Sequence, residues 1–163
     1  MTRKLAELSP KEILAVAISV EQNNQKTLRN FSEMFEGYDE EVSKNFQEMA
    51  KEESSHEEFL VQKFKKMFKG PVPEMTPHDV EEVIEAIDLD DSEFLIFDSL
   101  KARQVYQLAW ETEKKAREFY EKASKTVTDH VLKNLFKELS EMEKEHAGWL
   151  DQKLGRVKGK KHE

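Results

Sequence analysis

Two segments of the chain carry a glutamate and a histidine three residues apart, Glu53 with His56 and Glu143 with His146. Residues at positions i and i+3 lie on the same face of an α-helix, so each pair can present a carboxylate and an imidazole to one point. Carboxylate and imidazole ligands suit iron or manganese, and zinc can occupy the same kind of site. The two motifs therefore indicate metal binding, provided that both lie on buried helix faces.

Apolar residues recur with the period of an α-helix along four long segments, and no long stretch alternates with the period of a β-strand. Capping residues mark the ends of these segments, such as Ser9 before Pro10 at the first start and Gly155 at the last end. We predict one domain over 1–163, with helices at about 10–36, 39–69, 92–126 and 129–154, a short helix at about 77–87 and a frayed basic tail at 155–163. Short loops within each half and a long connection between the halves predict an all-α antiparallel four-helix bundle of two helix hairpins joined by a crossover.

A glutamate interrupts the apolar stripe of each predicted helix near its middle. These residues are Glu21, Glu53, Glu113 and Glu143. His56 and His146 lie on the same stripes, which is more informative than their spacing because acidic residues make up 34 of the 163 positions. Other acidic residues nearby lie off the stripes and are interpreted as solvated surface charges: Glu52, Glu57, Glu58, Glu141 and Glu145.

Burying four carboxylates together without compensation costs several kcal/mol per ion. Crowded carboxylates can take up protons, which raises their pKa, or they can bind cations. Two divalent metal ions would balance the four glutamates and leave both imidazoles neutral. This balance favours a site for two metal ions, in which each histidine binds one ion and the glutamate before it bridges both.

The two halves of the sequence resemble each other. Glu53 and Glu143 are 90 positions apart, and so are His56 and His146. Ala17 and Glu21 have the same spacing as Ala109 and Glu113, which favours Glu113 over Glu111 as the third-helix ligand. A duplicated helix hairpin predicts a nearly symmetric site for the two ions.

Two further segments resemble a known family. Residues 109–120 follow the pattern Ala-x-x-x-Glu-x-x-Ala-x-x-Phe-Tyr, and residues 143–150 read Glu-Lys-Glu-His-Ala-Gly-Trp-Leu. These segments, with the 30 positions between Glu113 and Glu143, resemble the rubrerythrin-like (erythrin) branch of the ferritin-like di-iron carboxylate superfamily. The resemblance covers nearly all four helices and implies a ferritin-like bundle with two iron ions as cofactors. The ligands that it implies are Glu21, Glu53, His56, Glu113, Glu143 and His146.

The same resemblance implies a reaction in which Fe(II) is oxidised, or O₂ or hydrogen peroxide is reduced. Many rubrerythrins have another glutamate one turn after the third-helix ligand, where this chain has Ala116, and Asn24 occupies the corresponding place in the first half. The six-ligand pattern that remains favours a ferroxidase centre of the bacterioferritin type. The cysteine-rich rubredoxin module is missing, so electrons for turnover would come from a separate donor protein. We expect a homodimer.

The composition excludes several other classes of protein. Lys and Arg number 26 against 34 Asp and Glu, and a net charge of −8 argues against binding nucleic acid. The absence of Cys excludes thiolate metal sites and cysteine nucleophiles. No apolar stretch approaches a membrane span, and the first residues lack a signal-peptide core, so we expect a cytoplasmic protein that binds no membrane.

Two other functions remain open at the level of sequence. The protein can be an iron-storage or metal-handling protein, in which case its subunits should form or join a shell. It can also be a non-enzymatic helical interaction module with a vestigial polar core. Tyr120 is either a hydrogen-bond donor to a metal ligand or a core residue, and the apolar run 94–97 either covers the end of the bundle or forms a subunit contact.

Overall fold

A computed structural model of the protein describes residues 2–80 and 102–155, and these residues form four long helices. The helices are α1 (Pro10–Phe35), α2 (Glu40–Met67), α3 (Ala102–Thr126) and α4 (His130–Leu154), with short 3₁₀ turns at Leu5–Glu7 and Pro77–Asp79. The predicted short helix at 77–87 is a 3₁₀ turn over its first three residues, and its remainder from 81 onward lies outside the described residues. The predicted start of the third helix at 92, the apolar run 94–97 and the tail from 156 also lie outside them.

Local side-chain contacts explain where the helices begin and end. The side chain of Ser9 accepts a hydrogen bond from the backbone N–H of Glu12, while the Glu12 carboxylate accepts one from the backbone N–H of Ser9. Asp39 and Asp129 cap α2 and α4 by accepting backbone N–H groups of those helices. Gly155 ends α4 with a φ of 79°, a left-handed conformation that favours glycine.

The four helices form an antiparallel bundle in which α1 packs on α2 and α3 packs on α4. Two apolar clusters fill the interior. One contains Leu14 of α1, Leu60 of α2, Tyr120 of α3 and Leu135 of α4. The other contains the C-terminal part of α1, the N-terminal parts of α2 and α3 and the C-terminal part of α4. Helices α2 and α3 therefore run in the same direction, as the predicted crossover requires.

None of the helices in the described ranges is long and apolar enough to cross a membrane.

Candidate metal centre

A polar layer separates the two apolar clusters at the middle of the bundle. Each helix contributes one glutamate from its buried face, and these residues are Glu21 (0% exposed), Glu53 (0%), Glu113 (1%) and Glu143 (0%). Their positions follow from the helical period, because each lies on the stripe that also carries the core residues above and below it. Four carboxylates are therefore packed away from water in one layer.

His56 lies at one edge of this layer of glutamates. Its Nδ1 lies 3.0 Å from Oε1 of Glu53, in the preceding turn of α2, and 3.5 Å from Oε1 of Glu21 on α1. The side chain of His56 is 12% exposed, so the imidazole lies at the edge of the cluster.

His146 occupies the corresponding place on α4. Its Nδ1 lies 3.4 Å from Oε1 of Glu143, 3.5 Å from Oε2 of Glu53 and 3.5 Å from Oε1 of Glu113. The rings of His56 and His146 are stacked, with 5.8 Å between their centroids and 16° between their planes. Both Nδ1 atoms therefore face the carboxylates.

The ligand atoms form two overlapping groups. Within each group, one oxygen or nitrogen atom from every member lies within 4.8 Å of the others. The first group is Glu21, Glu53, His56 and Glu143, and the second is Glu53, Glu113, Glu143 and His146. All six residues singled out in the sequence are thus brought together, and the two groups share Glu53 and Glu143.

Several polar atoms of this cluster have no hydrogen-bond partner among the described residues, although they are buried. They are Oε1 of Glu21, Oε2 of Glu53, both carboxylate oxygens of Glu113 and of Glu143, and Nδ1 of His146. Unpaired buried polar atoms are rare in folded proteins and call for an explanation such as a bound ion. Oxygen-rich donors with one imidazole in each group fit two divalent metal ions.

Burial changes the proton affinity of the carboxylates. It raises the pKa of Glu21 to about 8, and the charge of Glu53 contributes to that shift. Burial and the charge of Glu113 raise the pKa of Glu143 well above the usual range for a carboxyl group. Burial would also raise the pKa of Glu113, but the close approach of Glu143 and His146 outweighs it and lowers that pKa.

The histidines are affected in the opposite way. Burial alone would lower the pKa of His56, but the nearby carboxylates of Glu21 and Glu53 outweigh this effect and raise it to about 10. The neighbouring carboxylates likewise raise the pKa of His146 above its ordinary value, against the effect of burial. In the absence of metal ions, the groups whose pKa is raised would hold protons that offset part of the negative charge of the cluster, and a metal ion binding there would displace those protons.

Tyr120 is fully buried and is linked to the cluster. Its hydroxyl group donates a hydrogen bond to Oε2 of Glu21, and its ring stacks on Phe136 of α4. The sequence left two roles open for this residue, and the structure shows features of both. Burial and the charge of Glu21 raise the pKa of Tyr120 well above 10, so the phenol keeps its proton and remains a donor.

Glu52 and Glu57 were interpreted from the sequence as solvated charges. Glu52 is indeed exposed, at 60%, but it also contacts a histidine of the cluster, whereas Glu57 is only partly exposed and bonds to a neighbouring helix. Oε1 of Glu52 lies 2.5 Å from Nε2 of His146. The carboxylate of Glu57 accepts hydrogen bonds from Gln22 at 2.8 Å and from Gln25 at 2.5 Å, which joins α2 to α1. The helical period assigns a residue to a face of its own helix but does not reveal which side chain of the next helix comes within reach.

The structure places Glu113 in the cluster, whereas Glu111 lies outside it and accepts a hydrogen bond from Gln107 at 3.0 Å. Ala116, one turn after Glu113, is packed in an apolar cluster. Asn24 is buried one turn after Glu21, and its Nδ2 has no partner among the described residues.

Comparisons with solved structures identify two similar folds. An uncharacterized conserved protein from Magnetospirillum magnetotacticum MS-1 is 19% identical, with a TM-score of 0.74 over 91% of this chain and 95% of that one. A hypothetical protein from Pyrococcus furiosus is 23% identical, with a TM-score of 0.67 over 91% of this chain and 90% of that one. At these identities the similarity concerns the fold alone.

A comparison with curated proteins gives no match. The sequence model of the family described as Rubrerythrin matches residues 12–154, which include all six residues of the cluster. The fold and the match agree with the resemblance found in the sequence, and the chain belongs to the rubrerythrin family.

Proposed function

We propose that this protein is a di-iron oxidoreductase that oxidises Fe(II) and reduces O₂ or hydrogen peroxide. The proposal rests on buried carboxylate oxygens that have no hydrogen-bond partner in the described part of the chain. They belong to two groups of ligand atoms that share Glu53 and Glu143. Two divalent ions would satisfy these atoms and balance four negative charges. Membership of the rubrerythrin family favours iron as the metal.

In this proposal each histidine identifies one metal position. Glu21 and His56 would hold one ion, and Glu113 and His146 would hold the other. The shared residues Glu53 and Glu143 would contact both ions. When bound, the two iron ions supply the electrons that reduce O₂ or peroxide.

The protein would orient the metal ligands, exclude water from the site and supply the negative charge that balances the ions. The hydroxyl of Tyr120 fixes the orientation of the Glu21 carboxylate. The apolar clusters on both sides of the layer exclude water along the bundle axis. The side chains of His56 and His146 are 12% and 11% exposed, whereas the four glutamates are buried, so small oxidants and ions would enter at this edge of the cluster.

Anaerobic loading with Fe(II), followed by air or hydrogen peroxide, tests the proposal. Bound iron should approach about two ions per chain, and oxidation should produce a near-ultraviolet ferric absorption band. Glu143→Ala should lose both signals, whereas Glu111→Ala should keep them. Binding of one iron or none by the unaltered protein would contradict a two-iron centre.

The homodimer and the cytoplasmic location remain expectations, and so does the separate electron donor. Light scattering measures the oligomeric state directly. A dimer would favour the oxidoreductase, whereas a closed shell would favour the alternative of iron storage.

A further inference from the structure

Glu52 connects α2 to the outer nitrogen of a histidine on α4. Its Oε1 lies 2.5 Å from Nε2 of His146, while Nδ1 of the same ring faces Glu53, Glu113 and Glu143. The two nitrogens of His146 therefore have separate environments, one inside the cluster and one against a carboxylate at its edge. The Glu52 side chain is 60% exposed, so the contact lies where the bundle meets solvent.

Within residues 2–80 and 102–155, no carboxylate pairs with the outer nitrogen of the other histidine, His56. Among the described residues, the ion pairs of His56 run through Nδ1, to Glu21 and Glu53. The position equivalent to Glu52, 90 residues further along the chain, is Met142. A thioether is only a weak hydrogen-bond acceptor. The near-symmetry of the two hairpins is thus broken at this pair of positions.

We propose that Glu52 is a positioning residue for His146 and that it makes the two metal positions unequal, the position at His146 binding its ion more tightly. This inference rests on the proposed two-metal function. An ion bound at Nδ1 would leave the ring proton on Nε2, and this N–H would donate a hydrogen bond to the Glu52 carboxylate. Such an acceptor fixes the tautomer and orientation of the ring and makes it a better ligand.

Removal of Glu52 should weaken metal binding at His146 by a modest factor. Removing an outer partner of a metal-binding histidine typically weakens metal affinity about 10-fold to 100-fold. Because water screens an exposed carboxylate, the effect of Glu52 should lie near the lower end, about 10-fold. His56 should show no comparable dependence on residue 142.

Anaerobic titration of the full chain with Co(II), followed by its visible absorption, measures the two positions separately. The unaltered protein should bind Co(II) in two steps of different affinity. Glu52→Ala should weaken the tighter step about 10-fold and leave the other step unchanged. Glu52→Gln, which keeps an acceptor oxygen but no charge, should recover part of the loss. Glu58→Ala removes an exposed carboxylate from the same helix and should leave both steps unchanged.

A second variant tests the same idea by gain of affinity. Met142→Glu should strengthen the weaker step, and Met142→Leu should not. A merely structural role for Glu52 would change melting temperature without changing one binding step selectively, so metal-free melting curves accompany the titrations.

The Co(II) titrations distinguish failure of the proposed inequality from failure of the two-metal site itself. Two equal steps in the unaltered protein, equal weakening of both steps in Glu52→Ala, or no change in either step would overturn the inequality while leaving the two-metal site intact. Failure of the unaltered protein to bind Co(II) at all would instead overturn the proposed function, and the inequality with it.

Discussion

The hydroxyl group of Tyr120 donates a hydrogen bond to Oε2 of Glu21, although the two residues are 99 positions apart in the chain. Tyr120 lies on α3 and Glu21 on α1, so the bond joins the second helix hairpin to the first. Both side chains are fully buried, at 0% exposure. The bond therefore couples the packing of the two hairpins to the orientation of one carboxylate in the candidate metal centre.

Tyr120→Phe should keep the ring packing but remove this donor. Leaving a buried carboxylate oxygen without its partner should cost about 1–3 kcal/mol of unfolding free energy. It should also weaken the metal position that contains Glu21 and His56 more than the other position. Denaturant unfolding and Co(II) titration measure the two effects.

Tyr106→Phe is the matched control for this prediction. The Tyr106 hydroxyl accepts a hydrogen bond from Asn45 at 3.0 Å, and the ring packs in the apolar cluster at the other end of α3. Loss of the Tyr106 hydroxyl group can change the free energy of unfolding, but it should leave both metal-binding steps unchanged. Equal metal binding in Tyr120→Phe and Tyr106→Phe would show that the bond to Glu21 does not orient the ligand.

The sequence was sufficient to predict the bundle and the residues of its polar layer, because both depend on the helical period. Glu113 was preferred to Glu111 because it lies on the apolar stripe of α3 and repeats the spacing of Glu21 from Ala17, and the structure places Glu113 in the cluster. A buried charge on a core-facing stripe is an unusual pattern, and four helices repeat it. The burial of these side chains therefore follows from local periodicity alone.

Contacts between helices were less predictable. The distance from Glu52 to His146 depends on the rotation and relative height of α2 and α4, which no periodic pattern in either helix specifies. The role of Tyr120 was undecided for a related reason, because a core tyrosine and a tyrosine bonded to a ligand occupy the same position on the stripe. Only the position of Glu21 opposite its hydroxyl shows that this core tyrosine also donates a hydrogen bond to a residue of the cluster.

Replacing either shared glutamate should have opposite effects on metal binding and on metal-free stability. Glu53→Ala and Glu143→Ala each remove a carboxylate that the two candidate metal positions share, so metal content and the rate of iron oxidation should fall. The same substitutions relieve repulsion among the carboxylates, so the metal-free protein should be as stable as before or more stable. Metal analysis and melting curves measure the two quantities.

Glu111→Ala is the control, and it should change unfolding free energy by no more than about 0.5 kcal/mol. Full metal occupancy in both Glu53→Ala and Glu143→Ala would show that the metal site lies elsewhere.

Metal ions should stabilise the folded protein. An ion that binds only the folded state stabilises it by about 2.7 kcal/mol at a free concentration 100 times its Kd. The melting temperature should therefore rise with added Fe(II) under anaerobic conditions and return to its starting value after chelation. If the protein is purified without metal, and neither added Fe(II) nor chelation changes its melting temperature, the result would favour the helical interaction module.

Raising the pH should destabilise the metal-free protein. The pKa of Glu21 is raised from 4.5 in the unfolded chain to about 8 in the folded protein, so its contribution is lost as the pH rises through that range. The pKa of His56 is raised from 6.5 to about 10, so its contribution is present below 6.5 and is lost as the pH rises toward 10. Both groups bind protons more tightly in the folded state, and their effects have the same sign. Melting temperatures of the chelated protein should therefore fall between about pH 6 and pH 9.

Metal-loaded protein should not show this fall, because the bound ions replace the protons that offset the charge of the cluster. Parallel pH series with and without metal provide the comparison, and a chelated protein whose stability rises over this range would contradict the predicted proton balance.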